Sequence, residues 1–214
     1  MERKIILLLF AIFGLYYVFF LDSIAVSLRM VFKLIPMILL IILALRSKGD
    51  KGYKAIIIGG LIFCAIGDYT LQWFIIGLCS FLIGHLFYIT AFSKTNNSKT
   101  PISAKTLLII YGAAMMFWLA STIISTGDII LTVAVCAYII VILLMGWTSF
   151  RTASSFAIIG AFLFISSDSI LAINRFITDI PYSHILIMAT YYGAQLFIAL
   201  SIVQYSAQRN KVIQ

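Results

Sequence analysis

Ile56-Ile57-Ile58-Gly59-Gly60-Leu61-Ile62-Phe63-Cys64-Ala65-Ile66-Gly67-Asp68-Tyr69-Thr70-Leu71 is the stretch that decides the fold. From Ile56 to Gly67 it carries no charge and no polar/apolar alternation, so it reads as a helix in lipid rather than a strand. It then runs into Asp68. A carboxylate within a membrane helix is expensive and marks a functional site by default. One hundred residues later, the apolar run from Phe156 to Ile165 leads into Ser166-Ser167-Asp168-Ser169-Ile170-Leu171, again with Leu three places after the Asp. Two carboxylates in matching frames point to one shared site.

The rest of the chain fits that environment. Of its 214 residues, 63% are hydrophobic and 10% are charged, with a mean hydropathy of +1.13. A soluble domain carries about 25% charged residues. The class is therefore an all-α polytopic membrane protein, because only helices or closed barrels satisfy the backbone in lipid. The first run, Ile5 to Leu21, follows Lys4 and lacks a small-x-small cleavage site before Asp22, so it is expected to be a retained helix. Cys64, Cys79 and Cys136 sit in apolar runs without metal-ligand spacing and read as small buried hydrophobes.

Spans of about 20 residues are expected at 4–21, 27–46, 53–73, 75–93, 104–122, 127–147, 152–173 and 183–206, forming a single transmembrane domain. Lys and Arg are retained on the cytoplasmic side. With eight spans and both termini cytoplasmic, that side collects twelve of the fifteen basic residues: Arg3, Lys4, Arg46, Lys48, Lys51, Lys54, Lys94, Lys99, Lys105, Arg151, Arg209 and Lys211. Arg29, Lys33 and Arg175 fall outside. Topology thus accounts for the net charge of +8, and the basic residues form no aromatic-interleaved patch of the kind nucleic acid needs. Gly84-His85-Leu86-Phe87 also resembles Ala194-Gln195-Leu196-Phe197. With the two Asp frames, this suggests a 4+4 parallel repeat about an axis along the membrane normal.

Depth along the expected helices groups the polar residues. Asp68, Asp168 and Lys33 share a level roughly 8–9 Å below the outer edge. His85 and Gln195 lie nearer the midplane, with Tyr88 and Tyr191 on their respective helix faces. Desolvation and a like-charged neighbour favour the protonated form of one carboxyl, and Lys33 favours the ionised form of the other. Such a pair suits acid–base chemistry. Arg29 and Arg175 lie toward the outer surface, and Pro36 is expected to kink the second helix just past Lys33. No GxSxG, HExxH or Gly-rich phosphate loop is present.

Lys33 with Pro36, Gly67-Asp68 with Leu71, Gly84-His85 with Tyr88, Ser167-Asp168 with Leu171-Ala172, and Tyr191 with Gln195 together resemble the YhhN family. The resemblance runs from the second helix to the eighth. One departure is Leu34, which follows Lys33 where the family often has Pro. The resemblance implies an eight-helix membrane hydrolase that cleaves the vinyl ether bond of a lysoplasmalogen, or a related ether lysolipid, to a fatty aldehyde and a glycerophospho-alcohol. It implies Asp68 and Asp168 as the catalytic pair, with Lys33, His85, Tyr88, Tyr191 and Gln195 in support, and no metal or cofactor. Arg29 or Arg175 would meet the head-group phosphate of the lysophospholipid substrate. The expected location is the bacterial cytoplasmic membrane, among membrane lipid. A proton-coupled lipid or small-molecule transporter would use the same carboxylate pair, although no Gly/Pro-broken helices mark it.

Overall fold

The structure, a computed structural model, describes residues 2–95 and 98–213, with side chains described as far as residue 207. Eight α-helices follow one another: α1 (Glu2–Phe19), α2 (Val26–Arg46), α3 (Lys51–Thr70), α4 (Phe74–Ser93), α5 (Ile102–Ser125), α6 (Ile129–Ser149), α7 (Ser155–Phe176) and α8 (Ser183–Ile213). Short 3₁₀ turns stand at Leu21–Ser23 and Phe150–Thr152, and the described residues form no strand. Seven helices, α2 to α8, are long and apolar enough to cross a membrane. The eighteen residues of α1 include Glu2, Arg3 and Lys4. The protein is an integral membrane protein of helical class.

Local chemistry sets the helix ends. The side chains of Asp50, Asp128 and Ser154 each accept a backbone N–H three residues on, capping the starts of α3, α6 and α7. Gly127 takes φ +83° just beyond α5, where a residue with a β-carbon would be strained.

Two ends differ from the sequence expectation, and the difference matters for the site. α3 stops at Thr70, whose Oγ1 turns back to the Ile66 carbonyl, and Leu71-Gln72-Trp73 form a turn into α4. α7 begins at Ser155, after the 3₁₀ turn, and continues to Phe176, where Asn174 Oδ1 accepts the Ile180 N–H. Asp68 therefore lies two residues before its helix end and Asp168 eight. The equal spacing expected from the apolar runs does not survive, because apolar residues continue past the end of α3 into its turn, while α7 carries on through polar Asn174 and Arg175.

Contacts between loops sort the bundle into two ends. Arg46 pairs with Glu2, the Asp50 N–H donates to Ser206 Oγ, Thr100 Oγ1 donates to the Trp147 carbonyl, and Ser154 Oγ donates to Gln204 Oε1. The start of α1, the α2–α3, α4–α5 and α6–α7 connections and the last turns of α8 thus share one end. The expected inner basic residues cluster there, except Arg209 and Lys211, whose side chains lie outside the described residues. The opposite end holds Arg29, Arg175, Asp22, Asp128 and the His184 ring on the Tyr17 carbonyl.

Small residues let paired helices approach closely, the usual route to tight packing in lipid. A β-carbon on Gly60 would stand 2.2 Å from Tyr88 Cε1, so α3 and α4 fit only without it. A β-carbon on Gly160 would stand 2.9 Å from the Ala194 carbonyl oxygen, which locks α7 to α8 in the same way.

Candidate functional site

α3 presents Asp68 to the bundle interior, where it is 2% exposed. Lys33 Nζ of α2 lies 3.1 Å from its Oδ1 and also donates to the Asp68 carbonyl at 3.3 Å. Tyr191 of α8 donates its hydroxyl to Oδ2 at 2.6 Å. The next residue, Tyr192, donates to the Lys33 carbonyl at 2.8 Å, so both members of the pair are tied to α8. Burial leaves an ion pair dependent on such hydrogen bonds, since the desolvation cost is large.

Asp168 of α7 sits in a second cluster. Tyr138 of α6 donates its hydroxyl to Asp168 Oδ2. His85 of α4 places Nε2 2.9 Å from the Tyr138 oxygen and 3.7 Å from Asp168 Oδ2. Beside them, Tyr111 of α5 bonds to Ser169 Oγ. Tyr138 was not evident from the sequence. Its signal there is a single phenol in the aliphatic run Leu131 to Leu144, which reads equally well as packing.

Two aromatic rings stand between the clusters. Phe164 meets the His85 ring edge-on at 4.5 Å between centroids and the Tyr191 ring at 5.4 Å, and Phe81 lies 6.0 Å from Tyr191. The sequence pointed to one site shared by Asp68, Asp168 and Lys33. The structure instead gives a narrow apolar cleft between α4, α5, α6 and α7. Asp168, Tyr138, Tyr111 and Ser169 are its polar groups, whereas neither Asp68 nor Lys33 lines it. The division has a simple cause. Pairing Lys33 with Asp68 draws that carboxylate toward α2 and α8, away from the α5–α6 side where the cleft opens.

The remaining residues singled out in the sequence fall around these clusters. Tyr88 donates to Gln195 Oε1 at 2.7 Å, both fully buried beneath the two acids. Arg175 lies 4.0 Å over the Phe74 ring, and Phe74 lines both the cleft and an adjoining surface hollow with Trp73, Asp128 and Arg175. Arg29 is on the far side of the bundle, 3.7 Å from exposed Asp22 and bonded to the Ile24 carbonyl. The two arginines therefore do not converge, and only Arg175 adjoins the cleft.

The site sets one hydrogen-bonded carboxyl group in the wall of an apolar cleft, with Phe74 and the adjoining Arg175 beside it. Known proteins with similar sequences carry a name that fits. Lysoplasmalogenase TMEM86B of Sus scrofa is 32% identical over 175 residues, covering 80% of this chain and 74% of that protein. Lysoplasmalogenase TMEM86A of Bos taurus is 35% identical over 162 residues, covering 68% of this chain and 64% of that protein. A bacterial lysoplasmalogenase, from Mycobacterium tuberculosis, is 27% identical over 154 residues, or 66% of this chain and 58% of that protein. No solved structure matches the chain significantly. The YhhN family model matches residues 28–202, which takes in both acid clusters and the cleft, and the chain belongs to the YhhN family.

Proposed function

We propose that this protein is a lysoplasmalogenase that hydrolyses the vinyl ether bond of a lysoplasmalogen, or of a related ether lysolipid, at the wall of the α4–α7 cleft. The observation that carries the reading is Asp168, an acid with a phenol behind it, facing a cleft otherwise suited to a hydrocarbon chain. The relatives' names supply the bond that is cleaved.

The chemistry balances with this protein's own groups. Asp168, protonated, gives its proton to the alkenyl carbon remote from the ether oxygen, and the adjacent carbon becomes an oxocarbenium ion. The Asp168 carboxylate so formed lies beside that cation, as carboxylates do in glycosidases. Water adds to the cationic carbon and returns a proton to Asp168. The hemiacetal then collapses to a fatty aldehyde and the glycerophospho-alcohol. Asp68 stands behind Phe164 paired with Lys33, and in its ionised form it favours the cation through space. The phosphate sits at the mouth near Arg175, with the chain pointing inward past Phe74.

The same reading places all eight helices across the bilayer, with both termini on the cytoplasmic side of a bacterial cytoplasmic membrane. It also treats the chain as two four-helix repeats. What supports the repeat is the pairing of partners. Asp68 of α3 takes Lys33 from the preceding helix and Tyr191 from the last helix of the other half. Asp168 of α7 takes Tyr138 from the preceding helix and neighbours His85 from the last helix of the other half.

The test is aldehyde release by purified protein in detergent from a lysoplasmenyl lipid, with the saturated alkyl-ether analogue as control. Aldehyde from the first alone is the expected result. No aldehyde from folded protein in detergent, but substrate-driven proton movement in sealed vesicles, would move the assignment to a carrier.

A further inference from the structure

His85 is fully buried in the bundle core, and the chemistry above does not use it. Its Nε2 engages the Tyr138 hydroxyl at 2.9 Å, and that hydroxyl reaches Asp168. Its Nδ1 has no hydrogen-bond partner among the described residues, and Gln195 Nε2 has none beyond a weak interaction with the Cys64 thiol. Gln195 is also fully buried. Two orphan polar atoms in one apolar core are unusual, since a buried polar group without a partner costs about 1–3 kcal/mol.

The two orphans belong to one neighbourhood. Tyr88, one turn along α4 from His85 with ring centroids 6.4 Å apart, donates to Gln195 Oε1 at 2.7 Å. Phe164 packs on the His85 ring and also on Tyr191, which lies one turn before Gln195 on α8. Gln195 Oε1 is already used by Tyr88, so the amide has only its N–H groups to offer. A buried water needs two to four polar partners and room for one oxygen.

We propose that His85 and Asp168 share one proton through Tyr138, and that an ordered water holds His85 in place by accepting from both His85 Nδ1–H and Gln195 Nε2–H. The inference rests on Asp168 as the acid of the proposed reaction. The transfer balances. In one form His85 is an imidazolium and Asp168 a carboxylate. The Nε2 proton passes to the Tyr138 oxygen as Tyr138 passes its own to Asp168 Oδ2, leaving a neutral imidazole and a protonated acid. Nδ1 keeps its proton in both forms, which is why it needs a permanent acceptor. The relay sets the resting Asp168 in its protonated form from inside the protein before lipid enters; within a turnover the proton that Asp168 gives up is the one that the attacking water returns. His85 is thus a positioning residue that acts through Tyr138. The titratable groups around it are Tyr138 and Asp168 ahead and Tyr88 along its own helix. Beyond Gln195 and Phe164 stand Cys64 and Asp68 of α3, Tyr191 of α8, and Lys33 of α2 behind Asp68.

The chain has two histidines, His85 and His184, so nitrogen-15 labelling of histidine gives two rings to observe. His184→Gln leaves one and assigns it. In the full-length protein in detergent, the His85 Nδ1–H signal is expected to persist from about pH 5 to 9 and to show exchange with water. The Nε2 signal is expected to titrate, and in Asp168→Asn its transition should move by at least about one pH unit. Tyr138→Phe should uncouple Nε2 from pH and, where aldehyde is released, lower kcat about tenfold with KM within about twofold. Gln195→Leu should weaken the water cross-peak of Nδ1–H. An Nδ1 without a proton, or an Nε2 transition identical in the parent, Asp168→Asn and Tyr138→Phe, overturns the relay. These spectra need no substrate, so their failure is distinct from a failure of the hydrolase assignment.

Discussion

At the residue scale the two aspartates differ in what surrounds them. Asp168 faces the cleft, with its side chain 17% exposed, whereas the Asp68 side chain is 3% exposed and locked to Lys33. Asp168→Asn keeps the size of the side chain but has no acidic proton. Its kcat for aldehyde release should fall about 10²–10⁴-fold, the usual contribution of general acid catalysis, with an unchanged size-exclusion profile. Lys33→Met removes one partner of a buried pair. It should destabilise the fold by about 3–5 kcal/mol, because the remaining carboxylate is left desolvated and uncompensated. The double variant Lys33→Met with Asp68→Asn should recover much of that loss, since no lone charge remains. Denaturation of the two single variants and the double checks this. Additive losses would show that the two side chains do not act as a pair.

At the element scale, the close approach of α3 to α4 and of α7 to α8 depends on missing side chains. In Gly60→Ala the new carbon would be forced onto the Tyr88 ring, which is fully buried and tied to Gln195. In Gly160→Ala it would meet a backbone oxygen that cannot swing away. Each should cost about 1–3 kcal/mol, typical of overpacking. The Gly60 change should also disturb the orientation of Gln195. Gly193→Ala, where the added carbon would rest 3.4 Å from Leu163 Cδ1, is the mild control. Thermal unfolding in detergent should therefore rank the parent near Gly193→Ala, with both other variants lower. A Gly160→Ala protein as stable as its parent would contradict the close α7–α8 approach.

At the scale of the whole molecule, polarity is divided between the ends of the bundle. The connections α2–α3, α4–α5 and α6–α7 lie at one end with the basic residues, and α1–α2, α5–α6 and α7–α8 lie at the other with Asp22, Asp128 and Asp179. On the proposed orientation, which follows the positive-inside tendency, the basic end faces the cytoplasm. Reporter fusions after Gln214 and within the Thr126–Asp128 turn should land on opposite faces of the membrane. Landing on the same face would break the eight-span reading. With that orientation the cleft mouth, marked by Arg175 and Phe74, opens toward the outer leaflet.

What the sequence by itself determined was the class and the helix order, and it singled out particular side chains as candidates. Uninterrupted apolar runs of spanning length admit no other class in lipid, and Asp68, Asp168 and Lys33 announce themselves because ionisable groups are so costly there. The resemblance of the spaced Asp, Gly-His and Gln motifs to a family was likewise readable, since it depends on order along the chain alone. Only the tertiary structure decided which groups meet. Hydropathy is blind to rotation about a helix axis, so it could not tell that Lys33 would take Asp68 while Tyr138 took Asp168. Nor could it place Phe164 between the two, because a phenylalanine in an apolar helix is indistinguishable in sequence from one facing lipid. Helix ends shifted for a related reason. α3 gives way to a turn after Thr70, and beyond α7 the connection is held by Asn174 Oδ1 accepting the Ile180 N–H, features invisible to a count of apolar residues. The cleft is the extreme case. It is a gap between four helices, and a gap exists only once all four are packed.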